Sequence, residues 1–206
     1  TITGVANPVA GGTVTCTPNP VEISVGTSVC NAVANPGYSF SDWNVELTSC
    51  PGGSDGGYYV DSPTANCSVV ANFILDNITI ETAVVPTGGG SIVCVPPVVA
   101  NGSTASCSAT ASPGFHLVSI DGCFGTASTT SPYVTGPVTA ACTVTATFAA
   151  NTFAVTGVAS PVAGGAVTCA SPVNAGASTT CTVTTNAGYT LTSISGCGGT
   201  PGTTSP

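Results

Sequence analysis

The segment that begins at Cys142 alternates without a break. Cys142, Val144, Ala146 and Phe148 fall on one side, and Thr143, Thr145 and Thr147 on the other. A period of two marks a strand with one face in a core and one in water. The same count places Val14 with Cys16, Ile92 with Cys94, and Val167 with Cys169. It also places Ala105, Cys107 and Ala109 on the reverse side from Ser106, Ser108 and Thr110. Gly, Pro and Asn interrupt these runs at short intervals. No window carries the 3.6-residue spacing of an amphipathic helix. The pattern predicts an all-β protein whose cysteines point into the core.

The strands recur along the chain. Cys16, Cys94 and Cys169 stand 78 and 75 residues apart; Cys30, Cys107 and Cys181 stand 77 and 74 apart. Cys50, Cys123 and Cys197 are spaced by 73 and 74, and Cys67 and Cys142 by 75. Val9-Ala10-Gly11-Gly12-Thr13-Val14-Thr15-Cys16 matches Val162-Ala163-Gly164-Gly165-Ala166-Val167-Thr168-Cys169, and Pro36-Gly37-Tyr38 matches Pro113-Gly114-Phe115 and Ala187-Gly188-Tyr189. This predicts three tandem β-sheet units of about 75 residues strung end to end, at 1–76, 77–150 and 151–206.

Eleven cysteines, with no C-x-x-C and no Cys–His pair at zinc-ligand spacing, read as a disulfide framework made in an oxidising compartment. Turn signals lie midway between the first two cysteines of a unit, at Ala100-Asn101-Gly102 and Asn174-Ala175-Gly176. Folding about them brings those cysteines nearly opposite each other. Four cysteines allow three connectivities. Hairpin geometry favours first-to-second and third-to-fourth bridges: Cys16–Cys30, Cys50–Cys67, Cys94–Cys107, Cys123–Cys142 and Cys169–Cys181. A unit this small has a marginal core, and two bridges of about 3 kcal/mol each offset the deficit.

The third unit stops early. Thr129-Thr130-Ser131-Pro132 matches Thr203-Thr204-Ser205-Pro206, but the stretch equivalent to Tyr133–Asn151 is missing, so Cys197 has no partner in its own unit. Two explanations stand. The chain is a window on a longer array, or a neighbouring subunit fills the open edge with an extended segment, Thr1-Ile2-Thr3-Gly4-Val5 being a candidate donor. Head-to-tail donation does not close and generates a filament. An intermolecular bridge at Cys197 is compatible with it. The start at Thr1 and the lack of Met fit a processed mature chain or a cut fragment.

Pro36-Gly37-Tyr38-Ser39-Phe40-Ser41-Asp42-Trp43, closing with Cys67-Ser68-Val69-Val70-Ala71-Asn72-Phe73, resembles the divergent internalin-type B-repeat of bacterial surface proteins, in a cysteine-rich variant. The resemblance covers the whole chain, one copy per unit, with Ile120 and Ile194 where the first unit has Trp43. It implies a small β-grasp-like fold, so each unit is expected to be of sandwich or β-grasp-like type. It also implies a bacterial surface or secreted protein in a stalk, adhesin or fibre role, with no catalytic residues to carry over.

Charge narrows the function. The chain has no Lys or Arg and a net charge of −8. Nucleic acids and anionic lipid surfaces are bound through cations, so neither partner is expected. Thr, Ser, Gly and Asn break every apolar stretch short of a membrane span. Without Lys or Gln, neither Lys–Asn isopeptide nor Thr–Gln ester crosslinks can form, and trypsin-type cleavage sites are absent.

The candidate chemistry is sparse. His116 is the only imidazole and is replaced by Ser39 and Thr190 in the other units, so it reads as a tolerated surface position. Asp42, Glu46, Asp55 and Asp61 cluster in unit one, but unit three has no acid at all, and the spacing matches no calcium loop. Trp43, Tyr58 and Tyr59 are candidates for stacking on a ligand such as a sugar, with core packing of Trp43 as the plainer reading. Asn66, Asn77 and Asn101 match the glycan-acceptor sequon, and the many Thr and Ser are open to O-glycans. No cofactor, metal or catalytic activity is expected. The expected protein is extracellular and structural, a fibre or filament subunit whose partners are copies of itself. The alternative is a cell-surface adhesin or carbohydrate-binding stalk with unit one as the binding module.

Overall fold

The computed structural model describes residues 1–205; Pro206 lies outside the described residues. The first unit comprises β1 (Ile2–Asn7), β2 (Gly12–Thr17), β3 (Thr27–Ala34), β4 (Tyr38–Trp43), β5 (Gly52–Ser54), β6 (Tyr58–Asp61) and β7 (Cys67–Leu75). One sheet has the order β1-β7-β4 and the other β2-β3-β6-β5. The second unit comprises β8 (Asn77–Val85), β9 (Gly90–Val95), β10 (Val98–Ala100), β11 (Ser106–Ala111), β12 (Phe115–Gly122), β13 (Tyr133–Val134) and β14 (Cys142–Ala150). Its sheets run β10-β8-β14-β12 and β13-β11-β9. No α-helix occurs among the described residues. Each of the first two units is two small sheets packed on one core.

Each complete unit is closed by its own last strand. β7 pairs in parallel with β1, from Ile2↔Cys67 to Asn7↔Asn72, and antiparallel with β4. β14 sits in the same way between β8 and β12. A parallel pair needs a crossover, and the second sheet lies within that crossover. Alternation along β14 buries Val144, Ala146 and Phe148. The ring of Phe148 lies against Gly90 and that of Phe73 against Gly12, where a methyl group would collide with the ring. In unit two the core joins Ile80, Ile92, Cys94, Cys107, Ile120, Tyr133 and Val144.

The bridges follow from register. Cys16 faces Cys30, Cys94 faces Cys107 and Cys169 faces Cys181 across antiparallel pairs, with Cα–Cα distances of 3.9, 3.9 and 4.0 Å. Cys50–Cys67 and Cys123–Cys142 tie the loop after β4 or β12 to the start of the last strand. Beside each of those loops a buried tyrosine hydroxyl donates to main chain: Tyr58 to the Cys50 carbonyl at 3.0 Å, and Tyr133 to the Gly122 carbonyl.

The third unit has β15 (Thr152–Phe153), β16 (Gly165–Cys169), β17 (Val173–Asn174) and β18 (Cys181–Thr185). Residues 154–159, which occupy the place of β1 and β8, form no strand, and no residue of 151–205 is buried. The last strand is what a unit's core is built around. The expectation that Thr1–Val5 could donate a strand is corrected here. Ile2–Asn7 is already paired along β7 and Ile2 is buried, so the segment is part of the core of unit one.

The units meet at two matching joints. One residue, Asp76, separates β7 from β8; its N–H donates to the Gly37 carbonyl at 2.9 Å and its carbonyl accepts from the Asn101 N–H at 2.8 Å. At the second joint Asn151 donates to Gly114 and accepts from Ala175, both at 2.7 Å. Gly37 and Gly114 take φ of +85° and +84° at the third position of their turns, and an added Cβ would press on Asn101 and Ala175. Glycine is therefore needed there both for the turn and for the close approach.

Two expectations follow. Cys94→Ala/Cys107→Ala should lower the stability of the second unit by about 3 kcal/mol, read from amide exchange along β9 and β11. Burial, with the Asp121 charge, raises the Tyr133 phenol above its ordinary value, against hydrogen bonds to the Gly125 and Gly122 backbone that lower it. The unfolded chain then loses that proton first, so the stabilisation is complete below about pH 10 and is lost as pH rises through the folded value. Calorimetry should show a shallower alkaline decline for Tyr133→Phe than for the parent chain.

Candidate functional site

The first unit departs from the others along β4. Both β4 and β12 carry an irregularity in register, between Phe40 and Asp42 and between Leu117 and Ser119. Bulges of this kind re-aim neighbouring side chains. Phe40 packs edge-on to Trp43 at 5.4 Å and to Phe73 at 6.0 Å, and Trp43 leans on Tyr58 at 5.8 Å. Beside Phe40 and Trp43 runs a groove of about 420 Å³, whose remaining wall includes Asn31, Ala32, Asp42, Ser54 and Gly57. Asp42 is held in place, accepting from Asn72 Nδ2 at 2.7 Å and from Ser41 Oγ at 3.0 Å.

The groove gathers only one of the three aromatic residues singled out from the sequence. Trp43 is half-buried at its edge. Tyr58 is buried behind it and belongs to the core. Tyr59, its neighbour in β6, is 49% exposed, as strand alternation requires. The three do not form one platform. Phe40, Asn31 and Ser54 were not anticipated; the signal for Phe40 was Leu117 and Leu191 at its equivalent positions.

The other candidates scatter. Glu46, Asp55 and Asp61 are exposed and do not converge with Asp42, and among the described residues no three of His, Cys, Asp and Glu gather as metal ligands would. His116 is exposed and lies at the second joint, its Nδ1 2.8 Å from Asn151 Oδ1, just as Ser39 Oγ donates to Asp76 Oδ1 at 2.5 Å in the first. Asn66 and Asn77 are exposed, Asn66 accepting from the Thr1 amino group at 2.7 Å. Asn101, read as a glycan acceptor, is half-buried against Gly37 at the first joint, where a glycan would displace the joint. Cys197 is an exposed free thiol in the place that Cys50 and Cys123 occupy in their bridges.

Comparison with curated proteins and with solved structures returned no match. The family model of the divergent InlB B-repeat domain matches residues 2–77, 80–152 and 155–206. Those three stretches coincide with the three units built around the paired first and last strands, and they take in nearly the whole chain. The chain belongs to the divergent InlB B-repeat family, as three tandem copies of the domain.

Proposed function

We propose that this chain is a structural part of a bacterial extracellular surface fibre, a stiff run of β units with no catalytic role. The observation that carries the reading is the joint. One linking residue, hydrogen-bonded to the unit on either side, recurs with matching partners at Asp76 and Asn151. Short linkers with paired backbone suppress relative domain motion, unlike the flexible linkers that permit it. A Thr- and Ser-rich surface with charged residues at only 4% of positions supports close lateral packing, and disulfides support an oxidising location.

Assembly into a filament is part of this proposal. The place beside 154–159 suits a segment of last-strand type, with alternating Val, Ala and Phe and a leading cysteine for Cys197. A copy supplies such a segment by releasing β7 or β14 from its own unit, and a head-to-tail exchange of that kind extends without closing. A second reading, a cell-surface adhesin or carbohydrate-binding stalk with unit one as its binding module, is favoured by the groove beside Trp43.

Small-angle scattering of the purified chain should give an elongated particle with a single narrow length distribution. Gly114→Val, which cannot hold φ of +84° without strain, should broaden that distribution while the units stay folded. A compact particle, or a parent chain as flexible as the variant, overturns the rod. A synthetic peptide of the Cys142–Ala150 sequence, added under oxidising conditions, should slow amide exchange in the third unit and form a mixed disulfide with Cys197. Exchange unchanged by the peptide overturns strand complementation.

A further inference from the structure

The three copies act as an internal control on which residues the domain needs for folding. Where unit one has Phe40 and Trp43, unit two has Leu117 and Ile120 and unit three has Leu191 and Ile194. Ile120 is completely buried, so an aliphatic side chain satisfies the core at this point. Trp43 stays half-buried and Phe40 is 41% exposed.

Main chain runs alongside this edge in the other units. Ser128 exchanges two backbone hydrogen bonds with Ile120, at 2.7 and 2.9 Å, and Gly202 does the same with Ile194, at 2.8 and 3.0 Å. Among the described residues Trp43 takes part in no such bridge. Six residues separate Trp43 from Cys50, against two between Ile120 and Cys123. The longer segment in unit one returns to β7, with Asn44 donating to Val70 and Ser49 to Ser68. The chain after Cys50 then folds back as the β5–β6 hairpin on β3 instead of crossing to β4. The groove is the space this leaves open.

We infer that the groove is a binding site for a neutral oligosaccharide. Phe40 and Trp43 meet at 60° and form an open apolar corner, and Tyr58 supports the tryptophan from behind. A pyranose ring offers an apolar C–H face to such a surface, and the gain comes from burying both out of water. Its hydroxyls need donors and acceptors at the rim. Asn31 and Ser54 stand in the wall of the groove beside the two rings. A few oriented polar groups around an apolar floor are the ordinary make-up of a ligand site of this volume. An anionic ligand finds no Lys or Arg anywhere on the chain. A compact cation calls for ring faces that enclose it, whereas this corner is open along its length and suits a chain of sugars.

The inference rests on the second reading above, the carbohydrate-binding stalk, and not on filament assembly, so failure to bind leaves the rod and its scattering test untouched. The protein would be titrated with immobilised and soluble oligomers of β-1,4-linked N-acetylglucosamine, β-linked glucose, β-linked galactose and α-linked mannose, with choline and a sialylated oligosaccharide alongside. Trp43 is the only tryptophan, so its emission reports the site directly. At least one neutral oligomer should bind and shift that emission. The double variant Phe40→Leu/Trp43→Ile carries the residues of unit two and should keep the fold of unit one, read from amide exchange along β3 and β7. Measured by calorimetry, its binding should be at least about tenfold weaker, the scale of lost aromatic burial. Ser54→Ala should weaken binding with the emission maximum of the free protein unchanged. The inference is overturned if no neutral oligomer binds, if choline or the sialylated sugar binds more tightly, or if the double variant binds as well as the parent.

Discussion

A first strand whose parallel partner is the last strand of the same unit makes each unit depend on its own end. β1 finds β7 sixty-five residues later, at Ile2↔Cys67, and β8 finds β14 in the same way. The partner is an inner strand of its sheet, and in unit two it carries Val144, Ala146 and Phe148 into the core. Without it β1 has no partner, β8 keeps only β10 along Asn77–Thr79, and the antiparallel neighbour becomes an edge. Within 151–205, which hold no strand equivalent to β7 or β14, 154–159 form no strand and no residue is buried. Pairings this far apart in sequence carry a large loop-closure cost before they return any contact. The Cys16–Cys30 and Cys94–Cys107 bridges lower that cost by holding the second sheet together independently of the last strand.

The remaining economy of the fold follows from its size. Two sheets of three or four short strands bury few side chains, so sulfur and glycine carry roles that a larger core would give to aliphatic residues. Five bridges hold strands in register or fasten loops. Gly12 and Gly90 admit the ring of the last-strand phenylalanine, and Tyr58 and Tyr133 tie the loops near the third cysteine by their hydroxyls. Surface charge plays little part. The chain carries eight carboxylate side chains and no Lys or Arg, so ion pairs between side chains contribute little to the fold.

Repetition separates what the domain requires from what a single copy has added. The Pro-Gly turn before β4 and β12, the carbonyl it offers to the linking residue, and the side chain two residues on that reaches the same linker all recur. That makes the joint a property of the repeat. The aromatic corner of Phe40 and Trp43 does not recur, and neither does the detour of 44–49 that leaves it uncovered. It is a property of unit one alone.

Strand content, inward cysteines and the three-fold repeat were legible in the sequence, because each rests on local spacing: a period of two along a strand and a period near seventy-five along the chain. The favoured cysteine pairs were legible too, since a turn midway between two cysteines places them opposite each other. The parallel pairing of first and last strands, and with it the reason that Thr1–Val5 is not free to leave, arises only when distant segments meet. The same holds for the separation of Tyr58 from Tyr59, the half-burial of Asn101 at a joint, and the meeting of Asn31 and Ser54 with Phe40 and Trp43. Local alternation says which side of a strand a residue occupies. Which strand lies beside it, and whether main chain covers it, depends on contacts between residues far apart in the chain, and those only the folded structure decides.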